Sequence, residues 1–380
     1  MKSKHIAPMA PIALLACASA ACAQSSVTLY GVVDTNIEYA TNLPGATPGS
    51  SGNRVSMQSG GLSGSRWGLR GTEDLGGGLS ALFVLESGFA SDTGQSQQGG
   101  RLFGRQAYVG LKSTTVGQFT FGRQYTTLFQ LLANFEPMAY STQYEPAAVQ
   151  TGVNFRSDNT AMYTGTFGPV TAQAHWSFGT GAPSANPTGG GNGEVPGQPR
   201  RDSGYGAGVA YMAGPIGATL AFDQYNPSVA LGGGAFSSGT VRKAAIAGSY
   251  LFGDTVKVMG GYRWGQNKNA NGSVALRDDY YWAGVNYQAT NALGLSLEYA
   301  YQKIKTINSA PSTQANPWQI AFIADYTLSK RTDLYLTTAY ARNAGLALDQ
   351  ATVDLNATGY GLATGKTSMV GAAVGIRHKF

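Results

Sequence analysis

An all-β fold, closed into a 16-stranded antiparallel transmembrane β-barrel, is what this sequence predicts. Apolar and polar residues alternate with a period of two along most of the chain, and short connections alternate with long ones. No apolar run is long enough for a transmembrane helix. The composition is 53 Gly and 21 Tyr with 12% charged residues in 380. Glycine at that level also suits disordered sequence, but here it is interleaved with apolar alternation, which disorder does not require. A soluble β-sandwich would show the same alternation with its apolar face buried, and periodicity alone leaves that alternative open.

Residues 1–23 read as an export signal. Lys2 and Lys4 form a basic start, an apolar stretch follows from about Ile12 to Ala20, and Ala21-Cys22-Ala23 suits cleavage before Gln24. Leu14-Leu15-Ala16-Cys17 also resembles a lipobox, the alternative way to process such a leader. Cleavage after Ala23 removes both cysteines, so residues 24–380, read as a single barrel domain, carry no disulfide and no thiolate ligand. It also lowers the basic count from 26 to 24 against 20 acids, a net of +4. So mild and dispersed a charge gives no footprint for nucleic acid.

The alternation is clearest late in the chain. Leu293, Leu295, Leu297, Tyr299 and Tyr301 share one face, with Gly294, Ser296, Glu298, Ala300 and Gln302 on the other. Tyr281, Ala283, Val285 and Tyr287 alternate with Tyr280, Trp282, Gly284 and Asn286, and similar patterns run through Val256–Trp264 and Leu334–Tyr340.

Short turns fall at Glu73–Gly78, Ser113–Gly117, Gly168-Pro169, Ala213–Ile216, Phe252–Asp254, Ala289–Ala292 and Ser329–Thr332. Long polar segments lie between, near 42–62, 91–101, 126–155, 180–203, 226–240, 266–279, 305–316 and 343–366. The short turns join fourteen strands into hairpins, and Val27–Tyr39 and Thr367–Phe380 bring the number to sixteen. An even number of strands, with short turns at one rim and long loops at the other, is the pattern of an outer-membrane barrel. That many strands leave an aqueous channel rather than a filled core. Aromatic residues recur near strand ends on the apolar face, among them Tyr39, Phe89, Tyr262, Trp264, Tyr287, Tyr299, Tyr301, Tyr326 and Tyr340. Such rings form girdles where hydrocarbon meets headgroup, although Tyr also favours strands anywhere. The chain ends on an alternating strand closed by Phe380, which resembles the signal by which outer-membrane barrels are recognised for assembly.

Four blocks carry a more specific likeness. They are Ser26-Val27-Thr28-Leu29-Tyr30-Gly31; Ser65-Arg66-Trp67-Gly68-Leu69-Arg70-Gly71 with Glu73-Asp74-Leu75-Gly76; Gly104-Arg105-Gln106-Ala107-Tyr108-Val109-Gly110-Leu111 leading to Phe121-Gly122-Arg123-Gln124-Tyr125; and Val374-Gly375-Ile376-Arg377-His378-Lys379-Phe380. In this order and spacing the chain resembles the Gram-negative general porin family, in its beta-proteobacterial form, over nearly the whole length after the leader. The resemblance implies a general diffusion pore of the outer membrane that passes ions and small hydrophilic solutes. It also implies a homotrimer among lipopolysaccharide and a third long loop, 126–155, folded into the lumen as a constriction. That loop contains Glu136-Pro137-Met138 and Glu145-Pro146, but its acids are sparser than in the family's acidic loop motif.

A pore works through charges in a narrow low-dielectric aperture. If Trp67 and Leu69 face outward, Arg66 and Arg70 face the lumen. Arg105 stands at the entrance of the next hairpin, and Arg156 matches the family's position for a wall arginine. Arg66, Arg70, Arg105 and Arg156 are therefore expected to form a basic arc facing Glu136 and Glu145, with Arg123 a lesser candidate at the loop's root. The plain alternative is that each is a solvated lumenal side chain or is paired with a carboxylate. Net charge and the few loop acids predict weak anion preference or near neutrality.

The alternative within transport is a substrate-specific channel for a sugar or a small anionic metabolite. A barrel enzyme would need a general base beside a nucleophile. After the leader only His175 and His378 remain, neither near a nucleophile motif. No cofactor or metal site is indicated.

Overall fold

The computed structural model describes residues 26–152, 155–181, 193–232, 235–349 and 359–380, with side chains left aside at 228–238. The expected export signal lies outside the described residues. Sixteen antiparallel strands form the wall. The first eight are β1 (Ser26–Pro44), β2 (Ser51–Ser59, resuming as Arg66–Gly76), β3 (Leu79–Gly88), β4 (Gln106–Ser113), β5 (Gly117–Tyr125), β6 (Arg156–Phe167), β7 (Val170–Ser177) and β8 (Gly204–Ala213). The rest are β9 (Ile216–Tyr225), β10 (Thr240–Phe252), β11 (Val256–Lys268), β12 (Val274–Gln288), β13 (Leu293–Ile307), β14 (Trp318–Thr327), β15 (Thr332–Arg342) and β16 (Ser368–Lys379). A small hairpin, Ser228–Gly232 with Ala235–Ser238, decorates one long connection.

Each strand pairs with its sequence neighbours, and β16 pairs with β1 from Val32↔Lys379 to Ala40↔Gly371. Reciprocal bonds at the seam, Gly31 N to Phe380 O at 3.0 Å and Phe380 N to Gly31 O at 3.1 Å, leave no open edge. Closure is what lipid demands, because an unpaired backbone group there finds no water. The faces divide as the alternation requires. Leu297 and Tyr299 are exposed outward, while Glu298, Ala300 and Gln302 are buried on the inside.

Short turns fall where expected, but two of the long segments are largely strand. The expected loop 42–62 shrinks to 45–50, and 266–279 shrinks to 269–273. Beyond the apolar band nothing enforces apolar–polar alternation, so polar pairs such as Gln266↔Arg277 extend the ladder without announcing it. β2 is interrupted at 60–65, where Asp34 gathers the chain. Its Oδ1 accepts from Gly61 N at 2.9 Å, and its Oδ2 from Leu62 N at 3.0 Å and Ser63 N at 2.8 Å.

Segment 126–152 of the third long loop lies against the inner wall. It carries α1 (Thr127–Leu132), a single 3-10 turn (Ala133–Phe135) and α2 (Ala147–Thr151). Leu128, Leu131, Leu132, Phe135 and Val149 bury themselves against Ala210, Ala221, Ala245 and Ala247 of the wall. These wall positions are small, which makes room. At Gly208 a Cβ would stand 2.6 Å from Leu131 Cδ1. The loop's carbonyls are met by wall side chains: Trp282 Nε1 donates to Phe135 O at 2.9 Å, Asn286 Nδ2 to Pro137 O at 2.7 Å and Gln319 Nε2 to Tyr144 O at 2.5 Å. Irregular backbone at membrane depth is tolerated because protein satisfies it.

Candidate pore constriction

The lumenal side of β2–β6 gathers the arginines. β2 alternates so that Arg66 and Gly68 face inward, and Gly68 stands opposite Glu86 of β3. Arg105, just ahead of β4, donates from Nε to Glu86 Oε1 at 2.7 Å and from Nη2 to Tyr125 Oη at 2.9 Å. Arg156, the first residue of β6, donates from Nη2 to the same Tyr125 Oη at 3.1 Å. Its guanidinium lies 4.7 Å from the ring centres of both Tyr125 and Phe155. Arg66 Nε is 3.8 Å from Glu86 Oε2, to which Tyr30 Oη donates at 3.0 Å. Three guanidiniums thus surround one carboxylate and the phenols of Tyr125 and Tyr30. That leaves the group a net positive charge.

Arg70 shares their face but stands nearer the short-turn rim, over the Tyr30 ring at 5.3 Å. Arg123 is drawn elsewhere. Its Nη1 meets Asp158 Oδ1 at 2.5 Å, and Arg101 Nη2 meets Asp158 Oδ2 at 3.0 Å. Asp158 largely spends its charge on that pair, so Arg123 is a structural anchor at the loop's root.

Glu136 and Glu145 do not face the arc across open lumen. They are 3% and 4% exposed, tucked behind the loop. There they lie beside Glu298 of β13 and beside one another. Gln150 Nε2 donates to Glu136 Oε1 at 2.5 Å. Burial first, then the Glu298 carboxylate, pushes the carboxyls of both loop residues well above the usual range. The physical reason is docking. The loop turns its apolar and acidic side to the wall and leaves Phe129 and Tyr140 nearer the arginines.

Those rings were not foreseen as part of the site. Phe129 stacks on Tyr125 (4.7 Å), Tyr140 (4.1 Å) and Phe155 (5.0 Å). Tyr125, Gln124 and Phe129 with Gln106, Tyr108, Gln118 and Gln130 also line a lumenal cleft of about 370 Å³. Glu86, the one carboxylate within the arginine group, was missed as well. Its strand parity with Gly68 could have placed it inward, but the turn register was needed to bring it to Arg105. On β1 and β2 themselves, Arg54 Nη2 meets Glu38 Oε2 at 3.1 Å, and Tyr144 and Tyr360 donate to the other Glu38 oxygen at 2.9 Å and 2.5 Å.

The whole chain has relatives. The sequence profile of the Gram-negative porin family matches residues 10–346. An outer membrane porin protein of Bordetella pertussis is 33% identical over 399 residues, covering 96% of each chain. Outer membrane porin protein 32 of Delftia acidovorans is 31% identical over 383 residues, covering 97% of this chain and 98% of its own. Among solved structures, the anion-selective porin from Comamonas acidovorans superposes with a TM-score of 0.74 at 28% identity, covering 94% of this chain and all of that one. The closed barrel, its lumenal loop and these relatives together place the chain in the Gram-negative porin family, as a channel of the outer membrane rather than an enzyme.

Proposed function

We propose that this porin prefers anions and that Arg66, Arg105 and Arg156, with Arg70 nearer the periplasm, set that preference. The observation that carries the proposal is the withdrawal of Glu136 and Glu145 behind the loop, while among the described residues only Glu86 offsets the three clustered arginines. In a narrow low-dielectric aperture this surplus raises the local concentration of anions. The Comamonas acidovorans neighbour is likewise described as anion-selective. Reversal potential across a bilayer under a KCl gradient tests it. The expected sign is that of chloride, and a potassium-selective potential would refute the proposal.

We also propose a homotrimer that contacts through the outward face of β16 and β1–β5. That face is mainly aliphatic, with Val27, Ile37, Val55, Val109, Leu111, Val374 and Ile376 exposed. Within that face the wall is low at β4 and β5, which run for 8 and 9 residues against 15 each for β12 and β13 and 19 for β1. The remaining outward face would meet lipid, including lipopolysaccharide in the outer leaflet. Phe380, Ile376 and Val374, all exposed outward, are available as the terminal strand that the assembly machinery would read.

A further inference from the structure

Beside the arginine group, the lumenal cleft of about 370 Å³ has a chemistry that anion preference does not explain. On β4, β5 and β6 the odd-numbered Val109, Leu111, Phe119 and Phe121 are exposed outward, so the even-numbered residues face the lumen. Gln106 and Tyr108 stand there on β4, Gln118 on β5, and Thr164 opposite Gln118 on β6. Two inward positions, Gly110 and Gly122, carry no side chain, which hollows the wall between them. From the loop side α1 contributes Phe129 and Gln130. None of the side chains lining the cleft is charged.

Its polar groups divide into held and free ones. Gln173, 4% exposed beside the cleft, donates to Gln130 Oε1 at 2.9 Å and to Thr164 Oγ1 at 3.0 Å. Gln130 donates in turn to Tyr125 O at 3.1 Å, and Gln124 Oε1 accepts from Thr120 Oγ1 at 2.7 Å. Gln106, Tyr108 and Gln118 are half-buried, and among the described residues their side chains have no hydrogen-bond partner. They present two amides and a phenol, donors and acceptors together without charge. The Tyr108 ring and Met162 add an apolar patch. Phe129 and Tyr125 instead engage their ring faces with each other, with Tyr140 and Phe155, and with Arg156.

We propose that this cleft is a transit site for a neutral saccharide of monosaccharide size, held by Gln106, Tyr108 and Gln118. Uncharged donors and acceptors match a rim of hydroxyls, and the patch of Tyr108 and Met162 suits the C–H face of a sugar ring. A carboxylate or a zwitterion finds no counter-charge among the lining side chains. A flat aromatic solute finds the stacked rings already engaged. The cleft's volume falls at the small end of ligand sites, which run from about 300 to 1,000 Å³. Binding is weak, because each free group exchanges water for a solute hydroxyl at small net gain. Weak binding is what a conducting pathway tolerates, since the solute must also leave. Tyr125, which accepts from Arg105 and Arg156, is the border between the arginine group and this site.

Current through the barrel in a planar bilayer tests the site, with glucose as the probe. Gluconate serves as its anionic counterpart, and polyethylene glycol of similar mass as a solute without the hydroxyl pattern. In KCl the wild type should show a saturable, reversible fall in current with glucose. The Gln106→Met/Gln118→Met/Tyr108→Phe variant keeps side-chain size and removes the hydrogen bonds, so half-saturation should move about tenfold higher. Its unit conductance and reversal potential without solute should match wild type, which also shows that it is folded. Tyr108→Phe alone should move half-saturation the same way by a smaller factor, and carries the comparison if the triple variant does not insert. Polyethylene glycol should act equally on wild type and variants. No saturable fall in wild type, half-saturation unchanged by the substitutions, or polyethylene glycol acting like glucose would each overturn the site. Gluconate binding more tightly than glucose, and losing that advantage in Arg156→Gln, would assign recognition to the arginines and overturn it as well.

Discussion

Arg105 and Arg156 share a phenol, yet their substitutions should have different consequences. Arg105 is buried and bonded to Glu86, whose side chain is only 6% exposed. Arg105→Ala would take the nearest cation from that carboxylate and leave it Tyr30 and the looser Arg66, a loss of about 1.5–3 kcal/mol for a charged hydrogen bond. Thermal or urea unfolding in detergent should show a clear destabilisation. Arg156 forms no ion pair among the described residues, so its charge is left to the lumen. Arg156→Gln should leave unfolding nearly unchanged while lowering the chloride-to-potassium permeability ratio by about fivefold, the factor that corresponds to about 1 kcal/mol for one charge in aqueous surroundings. An unchanged reversal potential in Arg156→Gln would remove that arginine from the selectivity site. Of the four arginines in the expected arc, parity along a strand was enough to turn Arg66 and Arg70 inward. Finding Tyr125 and Glu86 between them required the cross-strand register, because a shared hydrogen-bond partner leaves no mark on local alternation.

The element that shapes the pore is the docked loop, and its hold on the wall is mostly apolar. Leu132 is fully buried in the cluster between α1 and the wall. Leu132→Ala should weaken docking by roughly 2–5 kcal/mol, visible as increased open-channel noise and faster proteolysis within the loop, with the barrel itself intact. Gly208→Val should act in the same direction from the wall side, since its side chain would enter the space of Leu131. The acidic cluster adds a dependence on pH. Glu136 and Glu145 have carboxyls raised by burial, facing Glu298 and Tyr280 from the wall and Tyr140 and Gln150 from the loop. Because their docked values exceed those of free carboxyls, docking is strongest where both stay protonated. It weakens as pH rises from the ordinary carboxylate range through the raised values. Channel noise measured from acid to alkaline pH should therefore rise with pH, and Glu145→Gln should flatten that dependence. Noise that falls with rising pH would contradict it.

At the scale of the whole molecule, closure is the controlling feature: sixteen strands paired around the ring leave the backbone satisfied and the lumen open to water. The unequal wall, low at β4–β5 and tall at β12–β13, gives the barrel two kinds of outer surface. If the low aliphatic side joins three copies, single insertions should close in three equal steps. Charged substitutions such as Val55→Lys with Val109→Lys should convert the particle to monomers in mild detergent while each monomer still conducts. Single-step closures from the native protein would reject the trimer.

The strand number, the two rims and the lipid-facing side are legible from the sequence because each depends on alternation and turn chemistry, which repeat locally along the chain. Phe380 at the end and the blocks around Arg66, Arg105 and Phe121 added the family on the same basis. The ends of β1, β2, β11 and β12 were not legible, since a ladder outside the hydrocarbon needs no apolar period. The direction faced by Glu136 and Glu145 was decided by tertiary structure alone. A loop without regular alternation carries no parity, so which side meets the wall depends on where Ala210, Ala245, Gly208 and Trp282 leave room and donors for it. Charge at the constriction follows from that docking, because a carboxyl buried behind the loop no longer offsets the arginines in front of it.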